Sequence, residues 1–345
     1  MVLTLGELML RLKPPGKSRL LQVPLFEAGF GGSEANTAAA LVRLGHSAHF
    51  LSVLPLGPLG DSAQAFLRHL GIDDSMVRRK SGRLGIYFLE EGALNRPSQV
   101  FYDREFSCVA EVETHDWEWD EIFENTTWFH VSGITPALSM KALEWTRRSV
   151  STAVQGNIPI SLDINFRKKL WNYGQDARLV LPRLVEHCHV LFSNEDDLFN
   201  GLGEDFKPLS SLDENDPQAR VEAVETNARL VFEKFPKLEV LGLSLRESKS
   251  ADSNVWSGAL CRRNKSILFS NKYLLEPIVD RIGAGDAFNA GFIAGFLEKL
   301  PDQSTLELAV AMGALKHSIP GDVFLGTRLE AENLAKGKTS GRVNR

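Results

Sequence analysis

The sequence predicts an α/β fold: a central, mostly parallel sheet flanked by helices, with a small β-sheet lid. Two observations carry the prediction. Short apolar, β-prone runs alternate with longer helical ones along most of the chain, and that alternation implies a parallel sheet covered on both faces. Two stretches, 10–30 and 83–107, break the rhythm. Pro14, Pro15 and Gly16 mark a turn in the first, and β-prone runs flank Gly92 to Pro97 in the second, so both read as hairpins of a second sheet projecting from the main body.

In chain order, the apolar run at 2–8 is the first strand, and the alanine-rich segment 34–44 after two glycines is the first long helix. A strand at 49–54 and a helix at 62–70 follow. Strands at 128–131, 158–163, 190–192 and 240–245 then alternate with helices at 140–155, 178–186 and 220–235, and helices at 287–300 and 306–316 close the series. Trp117 and Trp119 alternate as in a strand and are expected to pack. The acidic segment 201–216 reads as a solvated loop and 331–345 as a frayed polar tail. The main α/β domain thus comprises 1–9, 31–82 and 108–330, and the lid 10–30 and 83–107.

At 345 residues and 43% hydrophobic content the chain can bury a large core, as one big domain with an appended element. A formal net charge of −5, without a long basic cluster, points away from nucleic acid and toward small molecules. Cys108, Cys188 and Cys261 lie far apart with no CxxC pair, which fits a reducing, cytoplasmic compartment and neither a disulfide frame nor a cysteine zinc site. His187 and His189 flank Cys188 with no third ligand nearby and are expected to be structural. The chain opens on a strand-like run without a basic leader, and no stretch reaches the roughly 18 apolar residues of a membrane span.

The chemistry concentrates in Asp280-Arg281-Ile282-Gly283-Ala284-Gly285-Asp286-Ala287-Phe288, just ahead of an apolar helix. Two glycines let successive N–H groups approach a ligand, and the helix adds the positive end of its dipole, so Gly283, Ala284 and Gly285 form an anion trap. An aspartate cannot hold phosphate there, because like charges repel. Asp286 reads instead as a base that takes a proton from a hydroxyl attacking phosphorus, or else as an N-cap of the helix. Near the N-terminus, Gly31, Gly32, Ser33, Glu34, Ala35 and Asn36 open the first long helix; the glycines permit close approach of a polyol, and Asn36 offers donor and acceptor.

Together, in this order and at this spacing, the two segments resemble the signatures of the ribokinase-like, or PfkB, sugar kinases, and the resemblance runs over nearly the whole chain, roughly 2–328. Within that family the chain looks most like the 2-keto-3-deoxygluconate kinases. The likeness is carried by Gly85-Ile86-Tyr87, by Arg96-Pro97-Ser98 with Tyr102-Asp103-Arg104, by Asp163-Ile164-Asn165-Phe166-Arg167, and by the segment from Lys316 to Asp322. It implies a ribokinase-like sheet and ATP- and Mg²⁺-dependent phosphorylation of the 6-hydroxyl of a sugar acid. Gly32, Ser33, Asn36, Tyr87, Tyr102, Arg104 and Arg167 would position the acceptor, with the two arginines clamping its carboxylate through charge-assisted hydrogen bonds. A neutral-sugar kinase for fructose or ribose, and a sugar-binding sensor that has lost catalysis, are the alternatives.

On the donor side the resemblance implies nucleotide contacts from Asn165, Asn194, Ser244, Gly283 and Gly285. Asp197 stands where relatives carry a glutamate that organises Mg²⁺ through water. It is one methylene shorter. The polar segment from Ser244 to Asp252 replaces the glycine-containing turn of many relatives, so Arg246 or Lys249 could meet phosphate. Relatives often bind a monovalent cation such as K⁺ at positions matching Asp280 and the carbonyl of Ile282, and often pair through their lid sheets, which would give a homodimer or higher homo-oligomer. Gly337-Lys338-Thr339 mimics the end of a Walker loop, but Glu332 stands where glycine is required.

Overall fold

The computed structural model describes residues 1–213 and 216–338. The N-terminal half contributes β1 (Val2–Leu5), β2 (Met9–Lys13), β3 (Glu27–Gly31), α1 (Ser33–Arg43), β4 (Ala48–Pro55), α2 (Pro58–His69), β5 (Val77–Lys80), β6 (Ile86–Glu90), β7 (Gln99–Asp103), α3 (Trp119–Phe123), β8 (Trp128–Ser132), α4 (Met140–Gln155) and β9 (Ile160–Asp163). The rest contributes α5 (Ala177–Val185), β10 (Val190–Ser193), α6 (Pro217–Lys234), β11 (Val240–Ser248), β12 (Asn254–Arg262), β13 (Leu268–Phe269), β14 (Tyr273–Leu275), α7 (Ala284–Leu297), α8 (Asp302–Lys316) and α9 (Arg328–Ala335).

The large sheet runs β13-β12-β11-β10-β9-β8-β1-β4-β5, with β14 on β12. Every pair from β11 to β5 is parallel. Strands β1, β8, β9 and β10 are buried along their whole length, as expected where helices cover both faces. All these strands deliver their carboxyl ends to one edge, where ligands of open α/β sheets bind. A separate four-stranded sheet, β3-β2-β6-β7, forms from the two stretches that broke the sequence rhythm. Its inner face packs Met9, Tyr87, Leu89, Val100 and Tyr102 together with Ile282 from the main body.

Four expectations need correction. The antiparallel strands β12, β13 and β14 extend the edge beyond 240–245, because the tryptophan-containing run at 254–262 pairs back along β11 over nine residues. Trp119 opens a short helix; it and Trp117 are buried, with Trp117 packed against Trp145 at 5.5 Å between ring centroids. The acidic segment is only partly solvated, since Phe206 and Leu209 are buried in the core; Glu214 and Asn215 lie outside the described residues. The tail begins as α9, started by a capping box between Thr327 and Glu330, with Ala331 buried against the core. Residues 339–345, including Thr339 of the Walker-like run, lie outside the described residues.

The three cysteines are free and buried, and the Nδ1 of His189 accepts the Ile160 N–H, a backbone-capping role. Among the described residues no helix is long and apolar enough to cross a membrane.

Candidate active site

Between the carboxyl edge of the large sheet and the inner face of the small one lies a cavity of about 1010 Å³, at the upper end of ordinary ligand pockets. Its floor is the start of α7. Gly283 occupies the N-cap at φ 81°, ψ 0°, and a Cβ there would come within 1.8 Å of the Asp322 carbonyl oxygen, so glycine is required on both counts. Helix α7 begins three residues earlier than the sequence suggested, and Gly283, Ala284, Gly285 and Asp286 all line the cavity. First-turn N–H groups have no intrahelical acceptor; that of Ala284 makes a long contact to the Arg281 carbonyl at 3.5 Å, and the others are left to serve a ligand.

Asp286 caps nothing. Its Oδ1 accepts from Ser33 Oγ at 2.7 Å and its Oδ2 from Asn36 Nδ2 at 2.8 Å. Burial pushes its carboxyl up to about 6, opposed by those two hydrogen bonds, with Asp322 pushing further up and Arg167 pulling down. A carboxyl of this kind is ionised at neutral pH yet keeps some proton affinity.

Ser33 and Asn36 reach the same carboxylate because residues three apart share a helix face. Gly32 is needed for close approach: a Cβ on it would lie 2.0 Å from the Glu7 carbonyl. The opposite side of α1 is pinned by buried Glu34, whose Oε1 accepts from the Ser132 N–H and from the hydroxyls of Ser132 and Thr135. The sequence motif therefore does two jobs, holding the Asp286 carboxylate and anchoring the helix that holds it.

Asn165, expected among the nucleotide contacts, donates to Ser33 Oγ at 3.0 Å and so stands beside Asp286. Asn194 Oδ1 accepts the N–H groups of Asp196 and Asp197, turning the chain after β10. Asp197 faces the cavity, accepts the Phe166 N–H at 3.2 Å, and is pushed up to about 6 by burial, against the pull of Arg167. Arg167 lines the cavity and donates from Nη1 to the Phe166 carbonyl at 2.9 Å.

Ser244, Arg246 and Lys249 line the far end of the cavity. The polar loop there is held without a glycine turn: Arg281 donates to the carbonyls of Ser250 and Ala251, both at 2.6 Å. Tyr87 and Tyr102 line the lid side, and the Tyr87 hydroxyl is committed, donating to Asp322 Oδ2 at 2.6 Å.

Arg104 departs from expectation. It does not line the cavity; it is buried and ion-paired with buried Glu7, Nε donating at 2.8 Å, and lies over the Tyr102 ring. A buried carboxylate at the end of β1 demands a cation more strongly than an open cavity does. Of the two arginines expected to clamp a carboxylate, only Arg167 lines the cavity.

Several side chains at the site escaped the sequence argument. Asp163, at the end of β9, lines the cavity and is pushed up to about 8, first by burial and then by Asp197 and Asp286, while Asn289 donates to its Oδ2 at 2.8 Å. Asp322 and Arg11 meet at the base of the lid. Asp163 and Asp322 sat inside segments already singled out; Arg11 carried no signal beyond being a charge between two leucines on a lid strand that ends in Lys13. Among the described residues no group of three or more His, Cys, Asp or Glu side chains could hold a metal ion.

Residues 1–232 and 257–324 match the model of the pfkB family carbohydrate kinases. A 2-dehydro-3-deoxygalactonokinase of Haloferax volcanii is 32% identical over 340 residues, covering 99% of this chain and 98% of that one. A 2-dehydro-3-deoxygluconokinase of Bacillus subtilis is 27% identical, covering 93% and 90%. The crystal structure of a 2-dehydro-3-deoxygluconokinase from Thermotoga maritima superposes with a TM-score of 0.90 at 39% identity, covering 97% of this chain and 99% of that one.

Proposed function

Since the chain belongs to the pfkB family of carbohydrate kinases and is an ATP-dependent kinase of that family, we propose that it phosphorylates the terminal 6-hydroxyl of 2-keto-3-deoxygluconate or a closely related sugar acid. These are the 2-dehydro-3-deoxy acids in the names of the relatives. The observation that carries the proposal is the joint placement of Asp286, the first turn of α7 and Arg167 on one cavity.

Ionised Asp286, steadied by Ser33 and Asn36, takes the hydroxyl proton as the new O–P bond forms and the bond to departing ADP breaks. N–H groups at Gly283, Ala284 and Gly285 are fixed dipoles aimed at the phosphoryl oxygens, and need no reorganisation as charge builds. Arg167 meets the substrate carboxylate, Tyr87 and Tyr102 offer ring faces to the carbon chain, and the lid excludes water that would otherwise accept the phosphoryl. Gly285, Asn194 and Ser244 face the nucleotide. Mg²⁺ supplies charge neutralisation on the phosphates; Asp197, a buried carboxylate on the cavity wall, fits a water-mediated contact, since Mg²⁺ keeps several waters and takes only one or two carboxylates.

A kinase for a neutral sugar such as fructose is the second reading, favoured by the pairing of Arg104 with Glu7, which leaves a single arginine for a carboxylate. Pairing of two chains through their lids belongs to the same proposal; exposed Phe101 and Phe106 on and beside β7 support it, and sedimentation equilibrium tests it. The site of phosphorylation is tested by phosphorus–proton correlated NMR of the product made from 2-keto-3-deoxygluconate and Mg-ATP. Correlation to the terminal CH₂ protons is expected; correlation to a chain CH, or no phosphorylated product, would refute the assignment.

A further inference from the structure

The monovalent cation expected beside the anion trap does not fit the residues present. Asp280, its anionic ligand by position, is buried and engaged on both oxygens: Oδ1 accepts the Ile282 N–H at 3.0 Å, and Oδ2 accepts the Gly321 N–H at 3.0 Å and Arg11 Nη2 at 2.6 Å. The other arm of the same guanidinium, Nη1, donates to Asp322 Oδ1. Arg11 is itself buried, on lid strand β2, opposite Tyr87 of β6, which donates to the second oxygen of Asp322. A second buried cation, Lys316, donates to the Ile319 carbonyl at 3.0 Å within the same turn. A further positive ion at Asp280 would lie against a guanidinium that already neutralises the carboxylate, and like charges repel.

We propose that Arg11 is a built-in replacement for the monovalent cation, so that the anion trap assembles without K⁺. The geometry gives it the means. Asp280 fixes the N–H of Ile282, the residue preceding Gly283, and the Asp322 carbonyl lies against Gly283 itself. One guanidinium therefore braces both sides of the loop that presents the N–H groups, at a charge and position a bound ion would otherwise supply. Because Arg11 comes from the lid, the trap is braced only when β2 is seated.

This inference rests on the kinase reading, and its test keeps the two separable. Kinase activity is measured at constant ionic strength in KCl, NaCl and tetramethylammonium chloride, and Mg-ATP affinity is measured by calorimetry in the same buffers, so that a wrongly chosen acceptor leaves the second readout intact. The wild-type protein is expected to show kcat/KM and ATP affinity equal within about twofold across the three salts. Tenfold or greater activation, or tenfold tighter ATP binding, in KCl over tetramethylammonium would overturn the proposal. Arg11→Met, folded or not, leaves that wild-type comparison standing. Where it folds, kcat is expected to fall at least tenfold and to recover in part with KCl or guanidinium chloride but not with tetramethylammonium. Loss with no cation rescue would reduce Arg11 to a structural tie and overturn the replacement.

Discussion

Replacing Asp286 with asparagine separates catalysis from stability at one position. The substitution keeps size and shape but removes the proton acceptor, so kcat should fall by about 10² to 10⁴ with substrate KM nearly unchanged. Stability should move the other way as pH rises. The folded state holds the Asp286 proton up to about 6 instead of 3.8, so ionising it in place opposes folding. The sign follows: a raised carboxyl costs nothing below the unfolded value, and its cost grows as pH rises to the folded value and then stays constant. By linkage that cost is about 1.5 kcal/mol at pH 5 and about 3 kcal/mol at pH 8. Asparagine escapes it, but its two contacts, Oδ1 accepting from Asn36 and NH₂ donating to the rotatable Ser33 hydroxyl, are then neutral, and the lost charge assistance costs about 1.5–3 kcal/mol in all. Asp286→Asn should therefore be less stable than or equal to wild type at pH 5, and should improve relative to it by about 1.5 kcal/mol at pH 8. Urea unfolding at both pH values, beside steady-state kinetics, makes the test. Near-normal turnover would remove the base assignment, and a stability difference independent of pH would refute the buried charge.

Other substitutions separate neighbouring roles. Arg167→Ala should weaken kcat/KM for a sugar acid by about 10- to 100-fold, the worth of a charged hydrogen bond, and leave a neutral ketose nearly untouched; equal losses on both would take Arg167 off the carboxylate. Arg104→Ala should instead unfold at lower urea, by about 3 kcal/mol or more, since it strands buried Glu7, while the preference for acid over ketose stays unchanged. Gly283→Ala should be both unstable, by about 1–3 kcal/mol, and inactive, given its φ of 81° and the adjacent Asp322 carbonyl. Gly285→Ala meets nothing within 4 Å and should fold at least as stably as wild type, while losing Mg-ATP affinity measurable by calorimetry, because its methyl would enter the cavity.

The sheet was legible because parallel strands buried on both faces read as continuous apolar runs, and the site because glycine-rich segments announce close backbone approach. Asp286, Ser33 and Asn36 could be named from sequence, but the hydrogen bonds joining them span about 250 positions and needed the fold. Arg104 and Arg11 mark the limit of sequence reasoning. Both come from the lid segments, and each is taken off the cavity by the buried acid that the fold brings near it: Glu7 for Arg104, Asp280 and Asp322 for Arg11. The composition of α9 is polar enough to suggest a tail, and its capping box has meaning only because Ala331 has a core to enter.

The most direct test of the central claim is a coupled ADP-release assay with Mg-ATP, comparing 2-keto-3-deoxygluconate, its galactonate epimer, fructose and ribose as acceptors. The account predicts kcat/KM for one or both keto-deoxy acids at least tenfold above either neutral sugar, in line with a charged contact from Arg167. Equal or better turnover of fructose or ribose would contradict it.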